Sequence, residues 1–225
     1  MIPIRDDNPT ERLPIITVGL IIINIMVFIY QLSLGKGAVD FIYNYGMVPY
    51  FVHNPQAAAG HIYFPPELTL ITSMFLHGGF LHIIGNMLYF WIFGNNIEDE
   101  LGHIPFLMFY LICGLAAGFA QLAANPNSQL PTIGASGAIA GVLGAYLIRF
   151  PHTRVLTLLW LGFFVRLVYI PAVFVLGFWF ILQLLFALPS IGAGQGGGIA
   201  YFAHIGGFVI GIILFPIFKL FFGKK

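Results

Sequence analysis

The sequence predicts an all-α polytopic membrane protein, a bundle of six transmembrane helices in a single domain spanning 1–225. Three observations carry that prediction. Of the 225 residues, 59% are hydrophobic and only 8% are charged, whereas an ordinary soluble domain has about 25% charged residues. Uncharged runs recur that match or exceed the roughly 20 residues needed to cross a bilayer. The breaks between them hold the turn-forming residues and nearly all of the charges.

The first span is expected at 13–35. It is too long for a signal-peptide hydrophobic region of about 7 to 15 residues, and no small-residue cleavage site follows it. The loop at 36–68 mixes Phe41, Tyr43, Tyr45, Tyr50 and Phe51 with few charges, so it is expected to rest on the membrane at headgroup level. A second span at 74–97 ends at the acidic turn Glu98-Asp99-Glu100. The uncharged run 104–148 is interrupted by Asn125-Pro126-Asn127-Ser128-Gln129, giving spans three and four at 104–124 and 134–149. Leu188-Pro189-Ser190, followed by Gly192, Gly194 and Gly196 to Gly198, separates span five at 167–188 from span six at 199–222. The apolar stretch 155–165 is too short to cross and is expected at the interface before span five, its conformation open.

Lys and Arg number 9 against 8 Asp and Glu, for a formal charge of +1. No basic cluster is large enough to hold a phosphate backbone, which argues against nucleic acid as a partner. The lone Cys113 allows no intrachain disulfide. Arg5, Arg12, Arg149, Arg154, Arg166, Lys219, Lys224 and Lys225 fall on the side of the two termini, with only Lys36 opposite. By the positive-inside rule both termini are cytoplasmic, and the expected setting is a multi-pass protein of a prokaryotic cell membrane.

Polar side chains within spans are costly and mark candidate function. Ser136 opens span four just inside the outer surface, within Gly134-Ala135-Ser136-Gly137. A serine at a helix N-terminus brings an unpaired backbone N–H toward any anion formed there. His204 lies about one turn into span six at the same depth. Gly137-x-x-x-Gly141 and Gly207-x-x-x-Gly211 let spans four and six approach closely, which would bring Ser136 against His204. The plainer reading of His204 is an interhelical hydrogen bond. Together, however, the two residues suit acyl transfer, with histidine as the base that activates the hydroxyl. All eight carboxylates lie outside the spans, so a dyad is expected, with the ring oriented by helix packing. His82 and Asn86, at i and i+4 on span two, can donate to a developing oxyanion together with the Ser136 N–H; the alternative for this pair is again an interhelical bond. A zinc site of His77, His82 and His204 has no carboxylate, cysteine or H-E-x-x-H motif to support it. No metal and no organic cofactor are expected.

Taken together these motifs resemble the rhomboid intramembrane serine proteases. The resemblance rests on His77-Gly78-Gly79-Phe80-Leu81-His82-Ile83-Ile84-Gly85-Asn86, Gly134-Ala135-Ser136-Gly137-Ala138 and Ala203-His204-Ile205-Gly206-Gly207, in this order along nearly the whole chain. It implies a six-helix core that cleaves single-span or multi-span membrane proteins near the outer face of the bilayer. Residue by residue, it makes Ser136 the nucleophile, His204 the general base, and His82 and Asn86 oxyanion donors. Span five would be a movable lateral gate, by analogy alone. A catalytically silent relative that binds and escorts transmembrane helices is the runner-up; its usual mark, loss of the serine or histidine, is absent. A transporter would place ionisable groups at the midplane instead. Two departures stand out: Leu68-Thr69 replaces the Trp-Arg pair of well-known bacterial members, and Ala140 stands where an aromatic ring often packs on the histidine.

Overall fold

The structure, a computed structural model, describes residues 1–60, 62–162, 164–190 and 199–224. The glycine-rich break expected at 191–198 lies outside the described residues. Among the described residues, six helices of 14 to 22 residues form the bundle. The first, α1 (Ile15–Ser33), buries Thr17, Leu20, Asn24, Phe28 and Gln31. Steps of three and four residues place these side chains on one stripe. Short helices α2 (Ala38–Tyr45), α3 (Pro49–His53) and α4 (Pro55–Ala58) fill the loop that follows, and α5 (Thr69–Thr72) leads back toward the bundle. Two longer helices, α6 (Phe80–Leu101) and α7 (His103–Ala124), are joined by Gly102 alone, whose φ of +83° is open to glycine and strained for other residues. At the centre is α8 (Ser136–Arg149), rich in Gly and Ala and buried along most of its length. Around it stand α9 (Ala172–Ala187) and α10 (Tyr201–Phe222).

Length and hydropathy support fewer crossings than the six predicted. Among the described residues, α1, α7 and α10 are long and apolar enough to cross. A fourth candidate is the pair Pro66–Phe75 and Phe80–Leu101, bent by 77°. With 14 residues, α8 rises only about 21 Å, and its small side chains serve contact with other helices more than contact with lipid.

The conformation left open for 155–165 is resolved into strands, and one expected boundary is corrected, since no helix begins at residue 167. Instead β1 (Ile2–Asp6), β2 (Arg154–Leu161) and β3 (Phe164–Pro171) form an antiparallel sheet in the order β1-β2-β3. Alternation explains it: Val155 and Thr157 are fully buried while Arg154 and Trp160 are exposed, the period of a strand with one covered face. Pro171 then ends the ladder, and α9 starts at Ala172.

Glu98-Asp99-Glu100 is likewise no turn. The helix α6 continues through it and all three carboxylates are buried. Buried charge persists only when paired and hydrogen-bonded, and here distant parts of the chain supply the partners. Glu98 accepts from the backbone N–H groups of Ile16 (2.9 Å) and Thr17 (2.8 Å) and from the Thr17 hydroxyl (2.7 Å), capping the N-terminus of α1. Asp99 accepts from the N–H of Arg12 (2.9 Å) and from Lys224 (2.7 Å). Glu100 takes Arg149 in a two-point pair, each contact 2.9 Å, and Lys219 at 2.9 Å. Beside them Asp6 accepts from Tyr146 and Asn96, tying β1 to α8 and α6.

The first loop, which lacks the Trp-Arg pair, is anchored through its backbone. Met47 and Thr132 exchange both backbone hydrogen bonds, at 3.1 and 2.7 Å, and the Thr72 hydroxyl donates to the carbonyl of Tyr45 at 2.6 Å. The loop thereby grips the segment that runs into α8.

Replacing Glu98 by Ala leaves the first-turn donors of α1 unpaired in a dry site, at an expected cost of about 3 kcal/mol or more. Thermal melting of the detergent-solubilised protein checks this: Glu98→Ala lowers Tm by several degrees, whereas Ala at the exposed Glu67 leaves it unchanged.

Candidate active site

Ser136 is the first residue of α8, and the approach to it is tightly determined. The N–H of Gly134 donates to the carbonyl of Ser73 at 2.9 Å. Gly134 has φ +122°, and a Cβ built on it would lie 2.7 Å from Nε2 of His82. Glycine is therefore required twice over, by its dihedral and by the ring beside it. Behind the serine, a Cβ on Gly207 would fall 3.0 Å from the carbonyl carbon of Gly137 and nearer still to its oxygen. A Cβ on Gly211 would lie 2.6 Å from Cα of Gly141, and one on Gly141 would meet Cys113 at 2.5 Å. Thus α8 and α10 touch backbone to backbone, as small-residue helix pairs do in membranes.

That contact sets the distance between the two helices and hence between their polar residues. His204, on the first turn of α10, places Nε2 2.8 Å from Ser136 Oγ. Its other nitrogen, Nδ1, lies 2.8 Å from Oε1 of Gln183 on α9. The Trp179 ring, one turn earlier on α9, sits 5.8 Å from the imidazole at a tilt of 36°. The ring is expected to be oriented by helix packing with no carboxylate, and an amide and an indole from α9 lie beside it. A single Gln in an apolar run forms no motif, so sequence reasoning passed over Gln183. Its only signal was being the one amide in that helix.

His82 and Asn86 face the same place. They line a cavity of about 740 Å³ with Gly78, Ser136, Ala200 and His204. Nδ1 of His82 accepts from the N–H of Gly78 at 3.3 Å, which leaves the ring proton on Nε2, the nitrogen beside Gly134. Asn86 has a further partner: its Nδ2 donates to Nε2 of His77 at 2.9 Å. An amide nitrogen carries two hydrogens, so one remains for the cavity. His77 is 1% exposed and its backbone N–H donates to the Gln31 side-chain oxygen at 3.1 Å. Its Nε2 lone pair is occupied by Asn86. The structure therefore brings Ser136, His204, His82 and Asn86 to one cavity, with Gly134, Gly137, Gly141, Gly207 and Gly211 as the surfaces that allow it.

Residues 66–220, more than two thirds of the chain, match the Rhomboid domain. The chain belongs to the rhomboid family. Among curated rhomboid relatives, Rhomboid protein 1, mitochondrial, of Saccharomyces cerevisiae is 30% identical over 156 residues, 67% of this chain and 42% of that protein. RHOMBOID-like protein 4 of Arabidopsis thaliana is 33% identical over 151 residues, 64% of this chain and 32% of the relative. Rhomboid protease GluP of Bacillus subtilis is 40% identical over 78 residues, 35% of this chain and 15% of the relative. The chain thus spans less than half the length of these curated relatives, one of which bears the name of a protease. Family and apolar helices together make this an integral membrane protein. Relatives from yeast mitochondria, a plant and a bacterium do not single out a prokaryotic membrane.

Introducing bulk at the α8 and α10 contact should separate the site. Gly207→Val is expected to cost about 1 to 3 kcal/mol by overpacking, read as a lower Tm of the detergent-solubilised protein. Gly177→Val, where the structure has open space, should leave Tm unchanged.

Proposed function

We propose that this rhomboid is an intramembrane serine endopeptidase that cleaves transmembrane segments of membrane proteins near the outer face of the bilayer. The observation that carries the reading is the 2.8 Å contact between Ser136 Oγ and His204 Nε2 in a cavity shared with two further hydrogen-bond donors. Ser136 Oγ attacks the carbonyl carbon of the scissile peptide bond while His204 Nε2 takes the hydroxyl proton. The negative charge on the carbonyl oxygen is met by the Ser136 backbone N–H, by Nε2–H of His82 and by the free hydrogen of Asn86 Nδ2. Collapse of this intermediate breaks the C–N bond, the leaving amine receives the proton from His204, and an ester on Ser136 remains. Water then enters the cavity and bonds to the ester carbon as it gives a proton to His204; the C–Oγ bond breaks, the acid leaves, and His204 returns the proton to Ser136 Oγ.

The cation distribution supports a topology with both termini at the cytoplasmic face. His204 and the opening of α8 then lie toward the outer side, where water has the shortest way to them. The escort reading finds less support, since both members of the dyad are present and in contact.

Ser136→Ala and His204→Ala are each expected to bring proteolysis of a single-span substrate to background without unfolding the protein. The double variant should be scarcely worse than either single one, because the two residues act as a unit. A Ser136→Ala protein that keeps most of its activity overturns the mechanism.

Asn86→Ala separates two roles. If its amide donates to the oxyanion, kcat falls about 10²- to 10³-fold, beyond what the lost bond to His77 removes from stability, on average about 0.6 kcal/mol for such bonds in membranes. A shift in Tm with unchanged kcat removes Asn86 from the mechanism.

A further inference from the structure

We infer that Gln183 is a positioning residue that decides which nitrogen of His204 serves as the base. The inference rests on the protease reading above and deepens it. Gln183 lies on α9, a helix of otherwise apolar residues, yet it is only 8% exposed. A buried amide without partners is costly, and here both of its ends are engaged. Its nitrogen lies 3.3 Å from the carbonyl oxygen of Trp179. A carbonyl can only accept, so that end of the amide is the NH₂ group.

The end that meets His204 Nδ1 at 2.8 Å is therefore the amide oxygen, which cannot donate. In the neutral ring Nδ1 must carry the hydrogen, and the lone pair falls on Nε2, 2.8 Å from Ser136 Oγ. The serine hydroxyl then donates to that lone pair, the direction in which its proton must travel. In the opposite tautomer, two lone pairs would face each other at Gln183 and an N–H would point at the hydroxyl, leaving no base.

The choice of an amide fits its surroundings. A carboxylate at this point would orient the ring equally well and would also stabilise the protonated imidazole, but it would place a charge within the apolar bundle, where charge is costly. Gln183 supplies the acceptor without the charge. The backbone oxygen that fixes its amide belongs to Trp179, whose ring also lies against the imidazole. One turn of α9 thus sets both the place and the protonation of the base.

The test uses a fluorophosphonate probe, which phosphonylates an activated serine with loss of fluoride and transfer of the hydroxyl proton to the base. Labelling of Ser136 is followed against pH for the wild type, Gln183→Leu and Gln183→Glu. His82, which lines the same cavity from α6, is present in all three, so its own titration cancels. Gln183→Leu should label about 10- to 100-fold more slowly. Gln183→Glu keeps the acceptor and should restore labelling at neutral pH. Its charge favours the protonated ring, so the acid limb of the profile should move upward by about one pH unit, a shift that a packing role would not produce. Wild-type labelling by Gln183→Leu, or an unmoved limb in Gln183→Glu, overturns the inference. Should Gln183→Leu fail to fold, the ¹⁵N spectrum of His204 in the wild type decides: hydrogen on Nδ1 supports the assignment and hydrogen on Nε2 overturns it. Labelling that survives Ser136→Ala would instead refute the protease reading itself.

Discussion

Where Gly207 meets Gly137 and Gly211 meets Gly141, the backbones of α8 and α10 leave no room for even a methyl group. This contact governs the rest of the bundle. Helix association in a membrane gains little from the hydrophobic effect, because lipid is as apolar as the side chains it would replace. Close approach brings dispersion contacts and weak Cα–H hydrogen bonds instead. The same small residues make α8 too short and too buried to be an ordinary lipid-facing span. They also make it a rigid post whose first residue is a serine and whose neighbour carries the histidine.

A second constraint operates at the opposite end of the bundle. Three consecutive carboxylates on α6 collect the first turn of α1, the last residue of α8 and two lysines near the end of the chain. Removing such charges from water costs several kcal/mol each unless the pairing is complete. The arrangement therefore contributes as much to the uniqueness of the fold as to its depth. Glycine contacts allow several registers between two smooth helices, whereas a two-point Arg149 to Glu100 pair and a capped α1 allow one.

The parts of this architecture that were legible in the sequence share a trait: each is written as a local period or a short string. The helices were visible as uncharged runs, and the proximity of Ser136 to His204 followed from two small-x-x-x-small patterns with a polar residue one turn or less before each. What was not legible depends on partners far along the chain. Glu98, Asp99 and Glu100 read as an acidic turn because the donors to Glu98 lie at positions 16 and 17 and the cations of the other two at 149, 219 and 224. The strand β2 read as an undecided apolar stretch and most of β3 as the start of a helix, because the edge partner of β2 is β1, some 150 residues earlier. Asn86 was visible as a polar residue on the face of His82, but its bond to His77 was not, since nine residues on a bent connection have no fixed phase. Gln183 is the extreme case: one amide, no period, and a role that exists only beside His204.

The buried acidic triplet also has a consequence in time. The cations that neutralise Glu100 and Asp99 include Lys219 and Lys224, about 120 residues later in the chain. At a synthesis rate of about 5 to 20 residues per second, α6 is made roughly 6 to 24 seconds before those lysines exist. During that interval the triplet has the earlier partners at Arg12, Ile16, Thr17 and Arg149 but not its two lysines. Glu98 can already cap α1 and Arg149 can already hold α8, while Asp99 still lacks Lys224 and Glu100 still lacks Lys219. Closure waits for the last helix to emerge. That helix is also the one carrying His204, so the chain acquires its candidate base and its final clasp in the same moment, and a half-made molecule holds the serine with nothing to activate it.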